Sequence, residues 1–130
     1  MSDLELKKVG DREFTIEPTL ETRDGAPRIR VKLIGTADVR ALVHLETLAP
    51  DVHAEVLRLG VRDVLVDVTS LEFMNSSCMK TFVTWIGLDQ ALEPAQQYRI
   101  HFISNPDIHW QRRSLHALSR FAADLVTVEP

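Results

Sequence analysis

The sequence predicts an α/β fold: a mixed sheet of four to five strands with helices packed mainly on one face. Three observations predict it. Runs with helical spacing alternate with short strand-like runs, which requires crossover connections and a mainly parallel sheet. Two strand-like runs come first with only a turn between them, adding an antiparallel edge. Near the middle, Val61 to Val68 holds a nearly continuous apolar run, Val64-Leu-Val, which reads as a buried central strand.

The elements follow in order. Residues 1–11 are charged and carry little pattern, so a loose N-terminal arm is expected, followed by a single domain over 12–130. Phe14-Thr-Ile alternates and predicts a short first strand. Thr22 to Pro27 is turn chemistry, because Asp24-Gly25 bends easily and Pro27 blocks a helix. Ile29, Val31 and Leu33 alternate with Arg30 and Lys32, the period of a strand with one solvated face. Gly35 is expected to end it.

Asp38 is placed to cap a helix through its carboxylate. Apolar residues then fall at 39, 42, 43, 45 and 48. Pro50 breaks this run and suits the start of a second helical segment, with apolar residues at 52, 56, 57 and 59. Gly60 stops it. The central strand follows and ends near Val68, and a short loop leads to a helix over Ser76 to Leu92. Phe82, Val83, Trp85 and Ile86 make its apolar stripe. Arg99 to Ser104 alternates as a strand. Asn105-Pro106 opens a third helical region carrying Ile108, Leu115, Leu118 and Phe121. Leu125-Val-Thr-Val closes the chain as a last short strand.

Composition narrows the function. Apolar residues are 45% and charged residues 26%, so the chain can build a core and is not a disordered segment. The formal charge of −4 argues against wholesale binding of a phosphate backbone, which wants a basic face. Cys78 is the single cysteine, so no internal disulfide or cysteine-rich zinc site is expected. No run is long and apolar enough for a membrane span, and the first residues lack a signal-peptide core. A cytoplasmic protein, with no direct nucleic-acid or membrane contact, is the expectation.

The most informative stretch runs from Val64 to Ile86, V-L-V-D-V-T-S-L-E-F-M-N-S-S-C-M-K-T-F-V-T-W-I. A buried strand leads into Asn75-Ser76-Ser77 at the start of a long helix. Asn and Ser are preferred N-cap residues, so the plain reading is that both serines cap. The functional reading is a phosphorylation switch. A helix N-terminus offers free N–H donors and partial positive charge. A phosphoserine there turns a small neutral hydroxyl into a bulky anion of charge about −1.5 to −2.

From about Ile29 to Val128 the chain resembles the STAS domain of bacterial anti-sigma-factor antagonists and sulfate-transporter tails. The marks are the strand reaching Gly35, V-D-V-T-S-L-E-F, the N-S-S helix start and the later I-S-N-P. The family's usual helix start is Asp-Ser-Ser-Gly, against Asn75, Ser76, Ser77 and Cys78 in this chain. The resemblance implies phosphorylation at Ser76, with Ser77 as second choice, and a partner-binding surface of Met74, Asn75, Ser76, Ser77 and Lys80. It implies a non-enzymatic regulator in a bacterial partner-switching pathway acting on transcription. Its partners would be an anti-sigma-type serine kinase and a phosphatase, with a homodimer left open, and no cofactor or metal is implied. Asn75, Ser76, Ser77 and Lys80 also fit the Asn-Thr-Ser-Ser-x-Lys pattern of small STAS-like regulators of diguanylate cyclase signalling, the alternative reading. A constitutive STAS scaffold without a switch is the third.

Other candidates are weaker. Ser77-Cys-Met-Lys80 spells S-x-x-K, but the companion S-D-N and K-T-G motifs of the serine β-lactamases are missing. His109 and His116 share a helical spacing without a carboxylate or cysteine cluster, a poor metal case against structural histidine. Cys78 in a first helical turn has a conceivable redox role, weighed against a small buried hydrophobe. Trp110 with Arg112 and Arg113 suits either a contact patch or a solvated helix end. Asp67 resembles the acidic residue at the end of the family's central strand, beside the switch loop, which implies that it shapes the pocket or caps the turn.

Overall fold

A computed structural model describes residues 4–130; the first three residues of the expected arm lie outside the described residues. The described chain forms six strands and three helices: β1 (Val9–Gly10), β2 (Phe14–Arg23), β3 (Ala26–Ala37), α1 (Leu42–Leu59), β4 (Asp63–Met74), α2 (Ser76–Gln90), β5 (Arg99–Ile103), α3 (His109–Phe121) and β6 (Val126–Glu129). The strands lie in the sheet in chain order. β1 to β3 pair antiparallel and β3 to β6 pair parallel. The mixed α/β sheet is as expected, with more strands than the four or five anticipated. The additional short strand falls in the arm, where Val9 pairs with Ile16 and where Leu4 and Leu6 pack against the core.

The β2–β3 turn is Asp24-Gly25. Both residues have positive φ, 52° and 80°, the conformation of the tight two-residue hairpin that matches strand twist. β2 is longer than Phe14-Thr-Ile. Pro18 obscured it, but β1 pairs only with residues 15 and 16, so beyond them the outer side of β2 needs no N–H donors. β3 passes through Gly35 rather than ending there. Gly35 has φ 101°, and a Cβ would meet the Glu13 carbonyl oxygen at 2.1 Å, so the strand crosses its partner at a point only glycine fits.

α1 is one helix, not two. Pro50 lies inside it and removes the bond that its N–H would give the Glu46 carbonyl. Leu45, Ala49, Val52 and Val56 form one buried stripe across the proline, so packing carries the helix through. Asp38 does not cap α1; Ala41 is the N-cap residue. The Asp38 carboxylate instead accepts the Arg40 N–H at 2.9 Å and pairs with the Arg40 guanidinium. Gly60 ends the helix with φ 67°, as expected.

β4 continues past Val68 to Met74. Its register against β3 shifts twice: Lys32 and Ile34 face Asp67 and Ser70, and Gly35 and Thr36 face Leu71 and Phe73. Each shift adds one residue on the β4 side, as a bulge does, and breaks the alternation that would mark a strand. β3 through β6 advance in one direction, so right-handed crossovers put α1, α2 and α3 on the same face. There Val31, Val66 and Phe102 meet Leu45, Phe82, Trp85 and Leu115 in one core. Val83, expected in the stripe of α2, faces outward at 38% exposure. The other face of the sheet is polar, with Arg30 and Asp67 paired at 2.7 Å and His101 and Asp63 at 2.8 Å.

Candidate functional site

β4 delivers the chain to the start of α2. Asn75 is extended, and its N–H donates to the Ala37 carbonyl at 3.0 Å, tying the helix start to the end of β3. Its side-chain oxygen accepts the Cys78 N–H at 2.8 Å. Asn75 is therefore the cap. Ser76 and Ser77 follow as the first two helical residues, both exposed, and neither hydroxyl makes a hydrogen bond among the described residues. The capping role that would have given the serines a structural purpose belongs to their neighbour.

Cys78 is fully buried under this turn, its thiol 3.3 Å from the Asp38 carbonyl oxygen. Burial pushes the thiol pKa up, with the charges of Asp38 and Glu46 adding to it, so the thiolate is disfavoured. That is the chemistry of a packing residue.

Lys80 is exposed on the same helix. With Ser77, Thr81 and Thr84 it lines a shallow groove whose other wall is Leu42, Glu46, Ala49 and Pro50 of α1. Met74, expected on the partner-facing surface, is turned into the core at 8% exposure because the second bulge reverses the strand's facing there. Exposed apolar side chains beside the helix start are Phe73, 47% exposed, near the end of β4, and Val39, 71% exposed, in the connection between β3 and α1. Sequence reading missed both. Phe73 falls in the loop that the sequence predicts after Val68, and Val39 reads as the first apolar position of a helix, which in the structure begins at Leu42. The structure thus gathers Asn75, Ser76, Ser77 and Lys80, and exchanges Met74 for Phe73.

α3 supports this region from below. Gln111, fully buried, donates to the Val68 and Leu71 carbonyls at 2.6 and 2.9 Å and accepts the Asn105 N–H at 2.8 Å. The Asn105 amide donates to the Thr69 carbonyl at 3.1 Å, and the Trp110 indole to the Glu72 carbonyl at 2.8 Å. These bonds satisfy carbonyls that the bulges take out of the ladder. Trp110 is thus bound to β4, while Arg112 and Arg113 stay exposed.

Asp67 caps the first bulge. Its carboxylate accepts the Thr69 hydroxyl at 2.6 Å and N–H at 3.0 Å, besides Arg30. Burial works against its ionisation, but the Thr69 donors and the Arg30 guanidinium outweigh it and hold the pKa below the usual value. No cluster of three or more His, Cys, Asp or Glu side chains suited to a metal occurs among the described residues. No described helix is long and apolar enough to cross a membrane.

No family model matches the chain, and no curated protein matches it in sequence. Solved structures do match. An anti-sigma factor antagonist from Mycobacterium paratuberculosis superposes with a TM-score of 0.60 at 17% identity, over 88% of this chain and 86% of that one. An uncharacterized DUF3478 protein with a SpoIIAA-like fold from Shewanella loihica PV-4 gives 0.59 at 14% identity, over 92% and 89%. The anti-sigma factor antagonist SpoIIAA in its unphosphorylated form gives 0.55 at 15% identity, over 87% and 88%. The chain has the STAS/SpoIIAA-like fold over most of its length.

Proposed function

We propose that this chain is a non-enzymatic regulatory module that docks an anti-sigma-type serine kinase at the start of α2 and is switched by phosphorylation of Ser76. The observation that carries the reading is the division of labour at the helix start. Asn75 supplies the cap, and Ser76 is left exposed with an uncommitted hydroxyl. The similarity of fold to anti-sigma factor antagonists supports a regulatory role with a protein partner.

The docking surface is small and partly apolar, made of Asn75, Ser76, Ser77 and the neighbouring Phe73 and Val39, with the Lys80 ammonium beside them. A phosphate on Ser76 sits favourably against the free N–H groups of the first turn, so α2 does not melt. It leaves a bulky dianion where the partner packs, and docking then meets a clash and a desolvation cost. Ser77 is the second choice. It lines the groove between α1 and α2, where a phosphate would meet both the Lys80 ammonium and the Glu46 carboxylate. A phosphatase completes the cycle by restoring the hydroxyl.

The test is to incubate the chain with ATP and lysate of its host and to locate phosphate by mass spectrometry. Wild type, Ser76→Ala and Ser76→Asp are then titrated against the kinase so identified. The expected result is phosphate on Ser76, undiminished docking by the Ala form, and docking by the Asp form weakened by about 1–3 kcal/mol, roughly five- to 150-fold. Equal affinity of all three forms with no phosphate on Ser76 or Ser77 rejects the switch and leaves a constitutive scaffold.

A further inference from the structure

One hydroxyl joins three elements of the core away from the helix start. Tyr98, 1% exposed at the entry to β5, places its oxygen 2.7 Å from Nε1 of Trp85 on α2 and 2.7 Å from Nδ1 of His53 on α1. The polarity of this chain is determined by chemistry. An indole nitrogen only donates, so the Tyr98 oxygen accepts from Trp85. Burial pushes the Tyr98 pKa up, so the phenol keeps its proton. Among the described residues the acceptor within reach of that proton is the His53 Nδ1 lone pair, and accepting it requires the neutral ring with its hydrogen on Nε2.

We propose that the Tyr98 hydroxyl is a proton-reading latch between α1 and α2, closed while His53 is neutral and released when His53 Nδ1 takes up a proton. Once Nδ1 is protonated, it and the Trp85 N–H both point at one oxygen, and the phenol proton loses its acceptor at a side chain only 1% exposed. An orphaned buried donor is costly. His53 is only half-buried, so the charged ring has a route to solvent, and leaving breaks the polar tie of α1 to Tyr98. What then holds α1 to α2 is chiefly the apolar packing of Leu45, Ala49 and Val52 with Phe82 and Trp85. These are the same two helices whose upper ends border the Ser77–Lys80 groove, so the latch sets how firmly that groove is held, whether or not Ser76 is modified.

The surrounding charges do not oppose this. Burial is what shifts His53, downward, with no ionic partner contributing. The other titratable group bound to Tyr98 is Asp89 of α2, whose Oδ1 accepts the Tyr98 N–H at 3.1 Å; Asp124, after α3, acts on Asp89 in turn. Asp89 touches the Tyr98 backbone and His53 its hydroxyl, so separate substitutions distinguish them.

The experiment is nitrogen-edited NMR of the full chain between about pH 5 and 8, the range in which histidine charge changes. At neutral pH, His53 is expected in the Nε2–H form. On acidification its ring and the Trp85 Nε1–H resonance should move with one shared midpoint, below 6.5. His53→Gln, at a half-buried position, should keep the fold and abolish the Trp85 response, and Tyr98→Phe should uncouple the two rings. Asp89→Asn should leave the response in place. An Nδ1–H tautomer at neutral pH, a Trp85 resonance indifferent to His53, or a response lost in Asp89→Asn would each overturn the proposal.

Discussion

The side-chain oxygen of Asn75 lies 2.8 Å from the backbone nitrogen of Cys78, and this bond sets Ser76 free. Removing an N-cap side chain typically costs about 1 kcal/mol. Asn75→Ala should lower stability by about that amount and Asn75→Asp by much less, since a carboxylate caps equally well. Ser76→Ala should change stability by less than about 0.5 kcal/mol, as surface substitutions do. Urea unfolding of the three variants checks the order. A Ser76→Ala loss as large as that of Asn75→Ala would return the capping role to the serine.

Gln111 satisfies three backbone groups from one buried amide. Gln111→Leu has similar volume but strands those groups, each costing about 1–3 kcal/mol when buried and unpaired. The expected loss is about 3 kcal/mol or more, read as a lower urea midpoint. Faster amide exchange at residues 68–73 should accompany it. Exchange that quickens only in α3 would show that the bulges hold themselves.

Asp89 is fully buried at the end of α2, and its Oδ2 has no hydrogen-bond partner among the described residues. Burial raises its pKa from 3.8 to about 6, with the Asp124 charge adding to it and the Tyr98 N–H opposing. The native state thus binds this proton more tightly than the unfolded chain. Its stabilisation is complete below about pH 4 and is lost as the pH rises through about 6. Asp89→Asn keeps an acceptor for Tyr98 and never ionises. It should be more stable than wild type at pH 8, by up to about 3 kcal/mol at 1.36 kcal/mol per pKa unit. The gain should fade towards pH 4. Thermal melts across that range test it, and a gain independent of pH would deny Asp89 the role.

Cys78 is expected to be inert in the native state. Cys78→Ala should cost roughly 1 kcal/mol or somewhat more, as small core truncations do. A thiol reagent should modify wild type only as fast as the protein unfolds. Immediate labelling, or loss of partner docking at unchanged stability, would mean that the sulfur has a contact or redox role.

Much of the fold was legible in the sequence because its signals were local. Asp24-Gly25 marks the hairpin, Ile29, Val31 and Leu33 mark a strand with one solvated face, and Val64 to Val68 mark the buried centre. What was not legible depended on distant neighbours. Pro50 looks like a boundary until the stripe through Ala49 and Val52 is seen to pack continuously. The second half of β4 loses its alternation at two bulges, whose carbonyls are met by Gln111 and Trp110 some 40 residues away. The same bulges explain Met74 and Phe73: an extra residue in the strand exchanges the buried side chain for the exposed one. Of the helix start, residue types showed that a cap exists, and geometry showed which of three candidates provides it.

Strand order equals chain order throughout the sheet. Assembly therefore never has to open a pair already made and thread a later strand between its members. The β2–β3 hairpin closes over two residues, a microsecond event. Each later strand can add to the growing edge as it becomes available, with its helix folding onto the exposed face behind it. Each parallel pair is joined by a single helical crossover, with Ile29 facing Val64 and Val64 facing Ile100, so no pairing reaches past the next strand in the chain. The order of addition that this topology leaves open runs from the first hairpin towards β6, the direction in which a ribosome releases the chain.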